Sequence, residues 1–513
     1  MKLRKTFETL SAGKLIFGGL ILLGVVLRVR QYLIGRSLWL DEAMLALNIV
    51  GRSFGGLLQP LDYNQGAPLG FLLAEKLVVT LTGNHEVTLR LLPLLAGCAA
   101  LLLYALLLRQ VTGKIGGFTA MALLAVGAAP VYYASEVKQY SSDVFIVLLL
   151  LWLAGKVIFH QLRQPEAGFP RSLNSKMLFL AVGGVLALWC SHPALFVLVA
   201  IGITLALHYA LRKDLMRLRQ MALVLLVWGL SFGVLYFVNL RGLAGNKYLV
   251  QYWAGAFMPM PVWEHLDWFG PTLQGMLNDP VGLGTYWPLA AALMLVGWVA
   301  LLRRTWQFGV LFGLVLGTTL TASALGKYPF AGRMILFIVP VFLALAGSGL
   351  DAFVEWLRGP RWLGSGLAVM LAAVLLFQPL IAAQENLLQP TYYEHVRPAM
   401  AFLQANRRPN DAIYVYSWAV PAFRYYAPAY GLAQGDYVAG KQHGSNFRVP
   451  LAELRQFMGN SHVWVLFSHI YVAGDFNEKD YILAYLNKIG KQKRLFYDPG
   501  TSVYLALYDL GGP

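Results

Sequence analysis

Two adjacent carboxylates, Asp41 and Glu42, stand in the stretch Ser37-Leu-Trp-Leu-Asp-Glu-Ala, just after the first long apolar run of the chain. A carboxylate in such a place can take the proton from an alcohol as that alcohol attacks, which is general-base chemistry. The same pair also suits a helix start, with Asp41 as cap and Glu42 at the positive end of the dipole. A second polar group is Tyr132-Tyr-Ala-Ser-Glu-Val-Lys-Gln-Tyr-Ser-Ser-Asp, ending at Asp143. Read as a helix, it sets Glu136, Tyr140 and Asp143 at i, i+4 and i+7 on one face, with Lys138 pointing elsewhere. The alternative is a solvated cap between two apolar runs. The third group, Lys327-Tyr-Pro-Phe-Ala-Gly-Arg-Met, opens another apolar run at Arg333. A guanidinium binds phosphate through two parallel hydrogen bonds and Lys327 adds a second positive charge; the other reading is that Arg333 only snorkels to lipid headgroups. His192, beside Pro193, reads as a local hydrogen-bonding group.

The elements that position these residues follow from composition. Of 513 residues, 58% are hydrophobic and 13% charged, with a mean hydropathy of +0.57, which excludes an ordinary soluble fold. Stretches of roughly 20 apolar residues recur through the first three-quarters of the chain, giving about eleven predicted spans. They fall near 15–35, 87–108, 115–133, 144–159, 177–190, 193–211, 221–240, 287–302, 308–325, 333–349 and 363–383. The formal charge of +16 does not point to nucleic acid, because the cations sit in the gaps between these runs. With the N-terminus cytoplasmic, the inside loops carry Lys2, Arg4, Lys5 and Lys14, then Arg109 and Lys114, then Lys156, Arg163, Arg171 and Lys176. Arg212, Lys213, Arg217 and Arg219 follow, then Arg303 and Arg304, then Arg358 and Arg361, so every inside loop is basic.

The first apolar run leads into Arg28 and Arg30 without a small-residue cleavage site and reads as an uncleaved span. Cys98 and Cys190 lie within apolar runs and read as small core hydrophobes, not as a disulfide framework. The first outside segment holds two predicted interfacial helices, 43–58 and 68–81, both short for a span. A second outside segment, 241–286, is rich in aromatics, among them Tyr252, Trp253, Trp263 and Trp268, which suit an interfacial belt or a lid.

Beyond residue 385 the pattern changes to period two at 412–417, 462–467 and 502–508, the signature of strands, with helical patterns at 393–406, 451–458 and 479–489 between them. The expected organisation is mainly α: a transmembrane helical bundle over 1–385 that includes the interfacial helices, and a small α/β domain over 386–513 on the extracytoplasmic side.

Taken together, the acidic pair at the head of the first outside loop, that loop's two interfacial helices and the stretch Glu136 to Asp143 resemble the GT-C class of membrane glycosyltransferases. The resemblance is to the branch with protein O-mannosyltransferases and bacterial aminoarabinose transferases. Tyr328-Pro-Phe-Ala-Gly-Arg333 is similar to a segment common in bacterial members, as are Asp411-Ala-Ile-Tyr-Val-Tyr and Pro421-Ala-Phe-Arg-Tyr-Tyr in the soluble domain. The resemblance implies a polyprenyl-phosphate-linked sugar donor and chemistry without a metal, and no His cluster or compact Asp-rich ligand set stands in the sequence.

The functional expectation is a multi-pass enzyme of the bacterial inner membrane that moves a sugar from polyprenyl phosphate to a hydroxyl on a protein, lipid or glycan. Asp41 is the expected base and Glu42 the group orienting the acceptor, and attack opposite the leaving group inverts the anomeric centre. Arg333, Lys327 and Lys138 stabilise the donor phosphate, while Tyr63, Glu136, Tyr140 and Asp143 shape the site. No cofactor and no nucleic acid are expected. The rival reading is a transporter or flippase of a lipid-linked glycan, since charge between spans also marks transport paths. Transporters tend to place such charge at the bilayer midplane in paired halves, and here it gathers at the outer ends of the predicted spans.

Overall fold

The computed structural model describes residues 12–163, 175–356, 360–389, 392–444 and 446–512. The basic residues Lys2, Arg4, Lys5, Arg171 and Arg358 lie outside the described residues. The chain forms two compact units: Met1–Leu33, Ser53–Gly83 and Arg90–Pro390 make up the first, and Ile34–Arg52, Asn84–Leu89 and Thr391–Pro513 the second.

The first unit is helical because a backbone in hydrocarbon must satisfy its own polar groups, and a helix does so within one segment. Among the described residues eight helices are long and apolar enough to cross a membrane, or nine if Lys114–Val126 and Ala128–Ser135 form one bent span. The apolar runs of the sequence predict about eleven. Ser175–Cys190 is one reason for the difference: its 16 residues reach only about 24 Å. The most enclosed span is Gly332–Trp356, with 94% of its apolar window buried. Small residues let its neighbours approach closely. A Cβ on Gly297 would stand 1.9 Å from the Leu345 carbonyl oxygen, and one on Gly116 would stand 1.9 Å from that of Gly347.

Buried charge in this unit completes broken backbone. The bent pair turns by 52° at Gly127, leaving carbonyls without helical partners. The buried Arg28 guanidinium donates to two of them, Leu124 (3.1 Å) and Ala125 (3.2 Å). At the other end of Lys114–Val126, Asp351 accepts from the Gly113 and Gly116 N–H groups at 2.6 and 3.0 Å, a cap supplied by a distant helix. Cys98 and Cys190 are free and half-buried.

The second unit contains a five-stranded sheet in the order β2-β1-β3-β7-β6. Its strands are β1 (Ala412–Val415), β2 (Val438–Ala439), β3 (Val463–Phe467), β6 (Lys491–Tyr497) and β7 (Tyr504–Asp509), while β4 (Val472–Ala473) and β5 (Phe476–Asn477) form a separate ribbon. β1 pairs in parallel with β2 and β3, and β7 runs antiparallel to both β3 and β6. The period-two stretches correspond to β1, β3 and β7, which are buried on both faces, Ile413, Trp464 and Leu505 on one and Tyr414, Val465 and Ala506 on the other. The predicted helices appear as Val396–Asn406, Arg448–Leu454 and Glu478–Ile489. The interfacial helix expected at 43–58 is Leu40–Gly51, which groups with this sheet unit, and a separate 3-10 turn, Gly56–Leu58, which belongs to the first unit; the one expected at 68–81 is Leu69–Thr82 in the first unit.

Candidate functional site

Asp41 occupies the first turn of Leu40–Gly51, which begins seven residues after the apolar helix Ala12–Leu33 ends. Asp41 is partly exposed, whereas Glu42 is fully buried and faces the buried Arg36 at 3.9 Å. Of the two carboxylates, Glu42 is thus the buried one and Asp41 the partly exposed one. Asp41 is not the cap: the N-cap position is Trp39, whose side chain makes no cap hydrogen bond. The amides ahead of the helix are instead taken by side chains of the sheet unit. His395 Nδ1 accepts from Ser37 N (3.2 Å), the Tyr426 hydroxyl accepts from Leu38 N (2.7 Å), and Glu394 Oε2 accepts from Leu40 N (3.1 Å). The Tyr426 hydroxyl in turn donates a hydrogen bond to Glu86 Oε1 (2.9 Å), which also pairs with Arg397 (3.2 Å).

In the first unit, Arg333 opens the 3-10 turn Gly332–Ile338. Its guanidinium carbon lies 5.8 Å from the Tyr140 ring centroid and 5.9 Å from that of Trp253, so two aromatic faces hold one cation. The surrounding motif explains how the backbone delivers it. The Tyr328 hydroxyl, kept protonated because burial pushes its pKa up, donates to the Met334 carbonyl at 2.8 Å. Phe330 N donates to the Ala256 carbonyl at 2.7 Å, and Gly332 takes the left-handed conformation, φ 48°. Asp279 lies beside this turn: burial raises its pKa while the nearby Arg333 lowers it. Around the Tyr133 phenol are Glu136, Arg333, Tyr140 and Asp279. Lys327, expected to share the phosphate with Arg333, is exposed.

The acidic-aromatic stretch departs from the sequence expectation. Tyr133–Ser135 is a 3-10 turn, Glu136 is extended (φ −121°, ψ 138°), and the helix starts only at Tyr140. Glu136, Tyr140 and Asp143 are thus not a helical i, i+4, i+7 stripe, although all three are buried. Lys138, expected to point away, is buried too, with Nζ donating to Gln65 Oε1 at 2.6 Å. Gln65 follows Tyr63 and Asn64, two non-glycine residues in left-handed conformation (φ 61° and 52°), and Asn64 accepts from Asn246 at 3.0 Å. Strain of this kind persists where surrounding contacts over-determine it. Asp143 lies beside Ser191.

Arg36, Asp279, Gln65 and Glu394 escaped the sequence reading. Asp279, Gln65 and Glu394 gain meaning from partners distant in the chain, Arg333, Lys138 and Leu40, while Arg36 pairs with Glu42 six residues on, a spacing that no regular element announces. Trp253 had two readings, and the aromatic segment divides between them: Tyr252 and Trp263 are exposed, as in a belt, while Trp253 covers Arg333 and Trp268 meets Phe330 with centroids 6.4 Å apart. Among the described residues, no group of three or more His, Cys, Asp or Glu side chains is placed to hold a metal.

No family model matches the chain, and no curated protein matches it in sequence. Solved structures do match it. ArnT from Cupriavidus metallidurans in the apo state is 14% identical, with a TM-score of 0.52, 96% of this chain and 98% of that chain being covered. The same protein bound to undecaprenyl phosphate matches at 14% identity and 0.52, over 97% of this chain and 99% of that one. The Archaeoglobus fulgidus oligosaccharyltransferase in complex with Zn and sulfate is 13% identical, at 0.54, over 95% of this chain and 73% of that one. The chain has the fold of these GT-C glycosyltransferases and is a multi-pass membrane protein.

Proposed function

We propose that this chain is a membrane glycosyltransferase that moves a sugar from a polyprenyl-phosphate carrier to a hydroxyl acceptor on the extracytoplasmic side of a bacterial inner membrane. The observation that carries this reading is the place of Asp41: a partly exposed carboxylate in the first turn of the helix that follows the first apolar helix in sequence, in a chain with the GT-C fold. Support for the carrier comes from the ArnT structure that holds undecaprenyl phosphate.

In the proposed step the acceptor oxygen attacks the anomeric carbon from the face opposite the phosphate. The bond from that carbon to the phosphate oxygen breaks, its electron pair leaves with polyprenyl phosphate, and the acceptor proton passes to Asp41. The anomeric configuration inverts. A carboxylate is a weak base towards an alcohol, but it takes the proton late, once the carbon–phosphate bond has opened. The phosphate is already a good leaving anion and needs charge stabilisation more than a proton. That role falls to Arg333, whose planar fork suits phosphate, with Lys138 and Lys327 as further cations. Glu42, buried against Arg36, braces the turn that carries the base in place of the acceptor-orienting role expected from the sequence, and Tyr63, Glu136, Tyr140 and Asp143 shape the surroundings. The reaction as proposed uses no cofactor.

The test is a radiolabelled polyprenyl-phosphate sugar supplied to purified protein with envelope lipid, peptide or glycan acceptors. Covalent transfer by the wild type and its loss in Asp41→Asn support the reading. Movement of the lipid across vesicles without covalent change makes the protein a transporter instead.

A further inference from the structure

The helix Leu40–Gly51 lacks the cap its own sequence should supply. Position N-cap is Trp39, which has no side-chain acceptor, and Ser37 is engaged elsewhere, its hydroxyl 3.0 Å from His395 Nδ1 and accepting from Arg397 N at 3.1 Å. The missing acceptor arrives from 354 residues away, as Glu394 Oε2 at 3.1 Å from Leu40 N. Glu394 is itself fixed: Oε2 also accepts from the Ser468 hydroxyl (3.1 Å), Oε1 meets His469 Nδ1 at 2.6 Å, and the residue is 3% exposed. His469 adopts a left-handed backbone, φ 51°, with its ring centroid 6.2 Å from those of Trp39 and Trp418. Such a conformation is strained for a residue with a side chain and is retained where neighbouring contacts impose it.

The bond from Glu394 is one rung of a longer strap. Residues 394 to 397 run antiparallel beside residues 35 to 40, so that Glu394 meets Leu40, His395 meets Ser37, and Arg397 meets the Gly35 carbonyl. The strap meets the backbone just ahead of Asp41, and through it acts on the aim of that side chain.

We infer that Glu394, braced by His469, is a positioning residue: its carboxylate is the N-terminal cap of the helix that bears Asp41, and it sets the direction in which that base is presented. This rests on Asp41 acting as the base. A charged acceptor at a helix N-terminus also complements the positive end of the dipole. Loss of such a cap frays the first turn, which is where Asp41 sits.

The experiment compares Glu394→Ala, Glu394→Gln and Asp41→Asn in the full-length protein, by transfer kinetics and by amide hydrogen exchange. Glutamine keeps the cap: its oxygen accepts from Leu40 N and Ser468, and its amide donates to His469 Nδ1 in the neutral tautomer. The expected result for Glu394→Ala is exchange at the Leu40 amide faster by about tenfold, kcat lower by about tenfold and an unchanged donor KM, with Glu394→Gln restoring most of both. Protection of the β1 and β3 amides should not change. Normal kcat in Glu394→Ala with a frayed Leu40 amide overturns the inference, as does loss of β1 and β3 protection, which makes the role merely structural. Wild-type transfer by Asp41→Asn sinks the assignment of the base instead, and the Leu40 amide then judges the cap by itself.

Discussion

Asp41 and Arg333 are each held in place, but by opposite means. Asp41 is aimed through its backbone: side chains of Glu394, His395 and Tyr426 take the amides that precede it, while the carboxylate stays partly exposed. Arg333 is held through its side chain, between the rings of Tyr140 and Trp253, with Asp279 beside the turn that carries it. The difference suits the chemistry proposed for each. A base needs direction but must remain free to gain a proton, so its constraints belong on the main chain. A phosphate-binding cation keeps one charge throughout, and ring faces can hold it without using up all its N–H donors.

The contrast breaks first on the kcat-against-KM split. Asp41→Asn is expected to lower kcat by about 10²–10⁴-fold with little change in donor KM, because general-base help is realised in the transition state. Arg333→Ala is expected to raise donor KM by about 10–100-fold, the loss of a charge-assisted contact. Arg333→Lys should recover little of it, because lysine lacks the planar fork. If the two variants showed the same split, the division of roles would fall.

A stability measurement sharpens the comparison next. Glu75, on Leu69–Thr82, is buried with neither carboxylate oxygen hydrogen-bonded among the described residues, and burial raises its pKa well above 4.5. The folded state therefore binds this proton more tightly than the unfolded state. Stability is greatest below the unfolded value and declines as pH rises towards the folded pKa, by at most about 1.4 kcal/mol per pH unit. Glu75→Gln should flatten that slope in thermal unfolding monitored across pH, and an unaltered slope would count against the assignment. The smallest effect belongs to Trp253→Leu, which removes one of two ring faces from Arg333. It should raise donor KM about two- to fivefold, with kcat unchanged, by initial-rate measurement.

The bundle and the sheet were legible from the sequence to different degrees, for reasons visible in particular residues. Apolar runs announced most helices, and alternation announced β1, β3 and β7, although consecutive residues of these strands are buried, so both their faces are covered. β6 was missed because Lys491 to Tyr497 is an almost wholly exposed edge with charges along it, so no apolar alternation marks it. The stretch from Glu136 to Asp143 was misread because spacing implies a shared face only within a helix, and this helix begins at Tyr140. Lys138 found its partner in Gln65, which no local pattern indicates.

Local chemistry alone determined that this chain crosses a membrane several times, carries an α/β unit after the bundle, and sets an acidic pair behind its first apolar helix. These are properties of composition and period, which act over a few turns or strands. What tertiary structure decided was which of the two acids is buried, which cation meets which ring, and that a carboxylate from residue 394 closes the end of the helix starting at residue 40. The physical reason is that a buried polar group takes whatever partner the fold brings within about 3 Å, and that partner's place in the chain leaves no trace in the residues beside it.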